Sequence, residues 1–311
     1  MIKLTEFPEF VRKKFGSNKQ MTYNGVWSDS IFSGVIYLEG ICGEWIKEYT
    51  EIEGGSKNRV EVNLGDHSLR KHNFAVSEES EKFLPLVKVK LIQDPEYSQR
   101  LLEKIETALK ELEKFTEAVK KENLSKYDRK KLAEELKKYV DLYRATIPFS
   151  FLWYSDFKLV HEVSEWIANN HDLPKKFIEE LILSTPESIY SDKEAENNQQ
   201  KETVNFNPKE KELIDFFRRN FILKTLKKKV ISQCEKNMQS FMERVAEEIK
   251  IDKEDLFFLS SEEILEILEK NSVDPKEIIS LRKIRFAIIS IDGKIKILSA
   301  TDFPEVVLET G

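Results

Sequence analysis

Glycine is scarce in this chain. It supplies 10 of 311 residues, about 3%, against a usual share of about 7%. Loops that bring backbone close to phosphate need glycine, so a complete nucleotide-binding domain is not expected. No Gly-x-Gly-x-x-Gly, no Walker loop and no Gly-x-Ser-x-Gly occurs. Gly54-Gly55-Ser56-Lys57 lacks the upstream glycine of a phosphate loop and reads as a turn. Cysteine is nearly absent. Cys42 and Cys234 make neither a disulfide framework nor a cysteine-based zinc site and read as two buried thiols. Runs of about 18 apolar residues are missing, so no membrane-spanning helix is expected. The first residues lack a basic segment followed by an apolar one, so a cytoplasmic protein is expected. An excess of one charge is missing too. Fifty Lys and Arg against 56 Asp and Glu give a net charge of -6 and no bulk pull toward nucleic acid or anionic membrane.

What is present is helical periodicity laced with charge. At about 150 residues per domain, the length suggests one large domain or two modest ones. Residues 1–93 are mixed. Residues from Gly25 to Tyr49 fit helix or strand, and Val60, Val62 and Leu64 alternate as in a half-buried strand. Asp94-Pro95 then fits an N-cap and first helical position, followed by one apolar face from Tyr97 to Val119. A second helix carries Leu132, Leu136, Tyr139, Val140 and Tyr143 and stops at Pro148. Shorter helices are expected near 156–169 and 174–183. Residues 184–208 read as a mobile loop with little to bury.

From 209 to 249 an apolar stripe runs for about 40 residues, as one helix or two with a bend. It contains one irregular step of five, from Phe221 to Leu226. Ser260 with Glu263 fits a capping box, and Asp274-Pro275 opens a further helix. Asp292-Gly293 between two β-branched runs signals a hairpin over 286–298. The expected fold is therefore mostly α: a mixed α+β region at 1–93, then a helical domain at 94–311 closed by the hairpin.

Candidate chemistry is sparse. His67, His72, His161 and His171 show no metal-ligand spacing. His161-Glu162 begins like a zinc-protease helix, but Glu165 stands where the second histidine belongs, so no metal is assigned. Between Lys209 and Lys229 eight cations face three anions, which reads as a solvated helix face. The aromatic cluster Phe149, Phe151, Trp153 and Tyr154 reads as core, with a binding-site wall as the alternative.

Several segments resemble, in order, the central helical region of phosphotransferases such as phosphoenolpyruvate synthase and pyruvate phosphate dikinase. They are Gln93-Asp94-Pro95-Glu96-Tyr97, then Leu183-Ser184-Thr185-Pro186-Glu187, then Asp255-Leu256-Phe257-Phe258-Leu259-Ser260 ahead of a Glu-rich helix. The resemblance covers about two thirds of the chain. It implies an acceptor-substrate-binding or linker component, completed by partner proteins that carry the ATP-grasp and phosphohistidine domains. No histidine here sits in the carrier motif of that group, so no catalytic residue is assigned. No cofactor is bound by this chain, and ATP and Mg enter only through those partner domains. The acceptor would be a small molecule, with Trp153, Tyr154, Arg218 and Arg219 as candidate binding residues. Membrane and nucleic acid are not expected partners. The alternative is a helical protein-interaction module with no enzymatic role.

Overall fold

The computed structural model of the chain describes residues 1–15, 22–28, 30–41, 48, 50–52, 61–66, 68–75, 77–94, 96–148, 156–183, 204–270, 274–291 and 294–307. The chain is mostly α. Its helices are α1 (Phe7–Phe15), α2 (Ile31–Ile41), α3 (Ser77–Gln93), α4 (Tyr97–Lys121), α5 (Arg129–Ala145), α6 (Asp156–His171), α7 (Lys175–Leu183), α8 (Pro208–Ile249), α9 (Ser261–Lys270) and α10 (Pro275–Ile284). Strands are β1 (Ile2–Lys3), β2 (Thr22–Ser28), β3 (Glu61–Gly65), β4 (Arg70–Ala75), β5 (Phe286–Ile291), β6 (Lys294–Ser299) and β7 (Val306–Val307). The region from Gly25 to Tyr49, legible as either helix or strand, contains the end of β2 and all of α2.

Helix starts follow local side-chain chemistry. Asp128 caps α5 by accepting from Lys131 N at 2.8 Å. Asn207 and Glu210 form a capping box at α8, with Pro208 in the first turn. The expected capping box at α9 forms: Ser260 N donates to Glu263 Oε2 at 2.8 Å, and Glu263 N to Ser260 Oγ at 3.2 Å. Two boundaries differ from expectation. The fourth helix opens at Tyr97, because the Asp94 carboxylate accepts from Glu96 N at 3.1 Å and holds a turn there first. The loop expected over 184–208 ends earlier, since Phe206 is buried and Pro208 already belongs to α8. Residues 184–203 lie outside the described residues.

The stretch from 208 to 249 is one helix of 42 residues. It packs along α4 in the same direction. Ser98 meets Glu212, Glu106 meets Arg219, and Thr116 meets Asn237, so contacts advance together along both chains. Helices α5, α6 and α7 fill the crossover between them.

The expected hairpin is present as β5 and β6, although its Asp292-Gly293 turn lies outside the described residues. The hairpin joins strands from the first 93 residues in one five-stranded antiparallel sheet, ordered β2-β4-β3-β5-β6. Strand β5 is buried on both faces, as alternation requires for a central strand. Phe286 and Ile288 enter the main helical core, while Ala287 and Ile289 join a smaller cluster with Phe7, Val11 and Phe303.

Helix α2 lies at the centre, with Ile31, Ile36 and Leu38 fully buried. Its contact with the end of α5 leaves no room at Gly40. A Cβ there would lie 2.5 Å from Ile147 Cβ and 3.3 Å from the Arg144 carbonyl oxygen. Gly40→Ala is therefore expected to destabilise the chain by about 1–3 kcal/mol, the usual cost of overpacking. A fall in the urea midpoint checks this, and an unchanged midpoint contradicts it.

Candidate functional site

Of the four residues singled out as acceptor-binding candidates, Arg218 and Arg219 are described, and these two face different neighbours. Trp153 and Tyr154 lie outside the described residues. Arg218 is turned toward α7. Its Nε and Nη2 donate to the Leu181 carbonyl at 3.0 and 2.7 Å, in the last turn of that helix. Arg219, next on the helix, faces α4 instead. Its Nη2 donates to Glu106 Oε1 at 3.0 Å and its Nη1 to Gln99 Oε1 at 3.4 Å.

The histidines also act between helices. His161 Nε2 accepts from the Lys175 ammonium at 2.6 Å, which leaves Nδ1 to donate to Glu179 at 2.8 Å across α6 and α7. His171 and Asn170 bond the buried Glu210 carboxylate at 2.7 and 3.0 Å. Burial pushes that carboxyl up, but the bonds from His171, Asn170 and Asn207 outweigh it and hold it below the usual carboxylate value. His67 and the side chain of His72 lie outside the described parts. Among the described residues, no group of three or more His, Cys, Asp or Glu side chains is placed to hold a metal ion. No described helix is long and apolar enough to cross a membrane.

Charged clusters elsewhere tie the fold together. Glu51 has a left-handed φ of 56° and accepts from Arg100, Lys104 and Lys90 at 2.9 to 3.1 Å. These bonds, Arg100 first, hold its carboxyl well below the usual range. They pin Glu51 onto α3 and α4. Arg144 Nε donates to Glu39 Oε2 at 3.0 Å and joins α5 to α2. Burial raises the Glu39 carboxyl, and Arg144 opposes the shift.

The unusual geometry lies on α8 between residues 219 and 230. Buried positions there recur at steps of three and four: Leu213, Phe217, Asn220, Leu223, Lys227, Val230 and Cys234. Two of them are polar. Asn220 is 1% exposed and Lys227 is 7% exposed, whereas Ile222 is 51% and Leu226 is 42% exposed. Polar and apolar residues have thus exchanged places over about three turns. Lys227 Nζ reaches inward and donates to the Thr146 carbonyl, the C-cap of α5, at 2.8 Å. A cation at a helix C-terminus meets the negative end of its dipole.

Ile222 and Leu226 edge a groove of about 560 Å³ between α4 and α8. Leu109, Leu223 and Val230 form its apolar floor. Glu106, Lys110 and Glu113 stand on the α4 wall, and Arg219, Lys229 and Gln233 on the α8 wall. From Arg219 to Gln233 the groove runs about 21 Å at 1.5 Å per residue. Sequence reasoning assigned Leu226 to the buried stripe and passed over Ile222. The available signal was the step of five from Phe221 to Leu226, which marks where the buried face passes through polar residues.

No protein-family model, curated protein or solved structure matches this chain. The resemblance to the phosphotransferase helical region accordingly rests on its sequence segments alone.

Burial lowers the Lys227 ammonium to about 7, far below the ~10.4 of an exposed lysine. Between those values the unfolded chain binds more protons than the folded one, so this residue makes stability rise with pH from about 7 to 10. Relative to Lys227→Met, the native chain should gain stability as pH rises from 7 to 9.5 in urea titrations. A constant difference across that window contradicts a buried, weakly basic Lys227.

Proposed function

We propose that this chain is a helical protein-interaction module whose α4–α8 groove receives a helix of a partner. The single observation that carries this reading is the exchange on α8. Asn220 and Lys227 occupy buried positions while Ile222 and Leu226 face solvent along a groove with an apolar floor. A lone exposed Leu needs no explanation, but two at a spacing of four that edge an apolar groove form a contiguous surface. Both side chains are already about half buried, so covering each one fully adds about 0.7–1.5 kcal/mol, a gain that the isolated chain forgoes and a bound helix recovers. In helix-in-groove recognition the inserted helix supplies apolar anchors at i, i+3, i+4 and i+7, and Ile222, Leu226 and the apolar floor are the surface that would receive them.

The acceptor-binding role implied by the phosphotransferase resemblance calls for a cavity near Trp153 and Tyr154, which lie outside the described residues, with cations such as Arg218 and Arg219 as further lining. The two cations face different neighbours, and Arg218 is engaged with the end of α7. The interaction reading is therefore preferred.

Replacing both Ile222 and Leu226 by Gln tests it. Both residues are surface positions in the isolated fold, so the thermal midpoint should stay within about 2–4 °C. In extract from the native cell, the unmodified chain should travel in an assembly larger than its own 36.5 kDa, and the double variant should travel alone. If both travel alone at that mass, the interaction reading fails.

A further inference from the structure

Resting on the docking reading, we propose that the partner is an acidic amphipathic helix of another protein, with its carboxylates aligned against the α8 wall. The two walls differ in charge. The α4 wall alternates, with Glu106, Lys110 and Glu113. The α8 wall carries Arg219, Lys229 and neutral Gln233, and no anion among its lining residues. Glu106 already accepts from Arg219 at 3.0 Å and lies 3.7 Å from Lys110, so its charge is engaged by two cations. The lining as a whole holds three cations against two anions. A helix seated between the walls presents one flank to each. On the α8 flank Arg219 is already paired with Glu106, so the excess charge is that of Lys229, which attracts a carboxylate and repels an ammonium group.

Arg219 and Lys229 are ten residues apart, about 15 Å along α8. An acidic residue at the Lys229 end therefore carries the preference, whereas one at the Arg219 end competes with Glu106. The partner's other face needs aliphatic residues at steps of three and four to cover Ile222 and Leu226 and reach the floor at Leu223. The same apolar floor weighs against a nucleic-acid strand, whose phosphates would gain nothing from it.

Two fluorescein-labelled 18-residue helical peptides test the proposal by anisotropy with the full-length chain. Both carry leucine at helical spacing on one face. One carries Glu on both flanks and the other carries Lys at the same positions. The Glu peptide is expected to bind about three- to fivefold more tightly, since the surface charge pair at Lys229 changes from attraction to repulsion. Lys229→Glu should remove or invert that preference, and Leu226→Gln should weaken both peptides. Equal binding of the two peptides, with Leu226→Gln still weakening both, overturns the acidic assignment and leaves the docking reading standing. Binding unaffected by Leu226→Gln overturns both. Binding of neither peptide overturns the acidic partner. A Leu226-dependent dimer of the chain alone, seen by sedimentation, also overturns it, because the groove then holds a second copy.

Discussion

The carbonyls at the ends of these helices must be satisfied, and this chain has almost no glycine with which to do it. No glycine occurs between Gly65 and Gly293, a stretch that contains eight of the ten α-helices among the described residues. The glycine C-cap that ends many helices is therefore excluded there. Long cations from neighbouring elements take its place. Lys227 of α8 bonds the Thr146 carbonyl at the end of α5. Arg218 of α8 bonds Leu181 at the end of α7. Arg129 of α5 bonds Ile267 and Leu268 near the end of α9. At α8 itself, Lys250 takes the left-handed cap conformation, with φ of 60°, that glycine adopts more readily. Each bond satisfies a carbonyl near a helix end and fixes the distance between two helices, and the two arginines also place positive charge at the negative end of a helix.

That arrangement constrains how α8 is turned about its axis. Lys227 reaches the end of α5 only if its side of the helix faces inward. Position 223, one turn earlier, then faces inward too and is filled by Leu223. Positions 222 and 226 lie one residue before these and are rotated by about 100° each, which turns them outward. Ile222 and Leu226 are thus exposed because Lys227 is buried. The capping that closes α5 and the apolar edge offered to a partner are two consequences of one rotation. Local sequence preference and global packing disagree along these three turns, as they tend to at functional sites.

Much of the fold was legible in advance because it rests on local chemistry. Ser260 with Glu263, and Asp274 with Pro275, each mark a helix start by side chains within a few residues. The β-branched runs around Asp292-Gly293 likewise predict β5 and β6. The pairing of β3 with β5 was not legible, because it joins segments about 220 residues apart and no local signal encodes it. Nor was the groove. A Lys in an apolar stripe reads as solvated until the carbonyl it bonds, 81 residues away in sequence, is known. Leu226 reads as core for the same reason. The acceptor-site candidates were chosen by residue type, and Arg218 and Arg219 diverge because adjacent helical residues point to different neighbours.

The central claim is that the isolated chain buries Lys227 and exposes Ile222 and Leu226. Single-cysteine accessibility reads this directly. In a background with Cys42 and Cys234 replaced by Ser, cysteines are placed one at a time at positions 222, 223, 226 and 230. Their reaction rates with a charged thiol reagent are compared with the rate in the unfolded chain. The account predicts fast modification at 222 and 226 and strong protection at 223 and 230. Protection at 222 and 226, with reactivity at 223, would contradict the rotation of α8 on which the fold and the proposed interaction both depend.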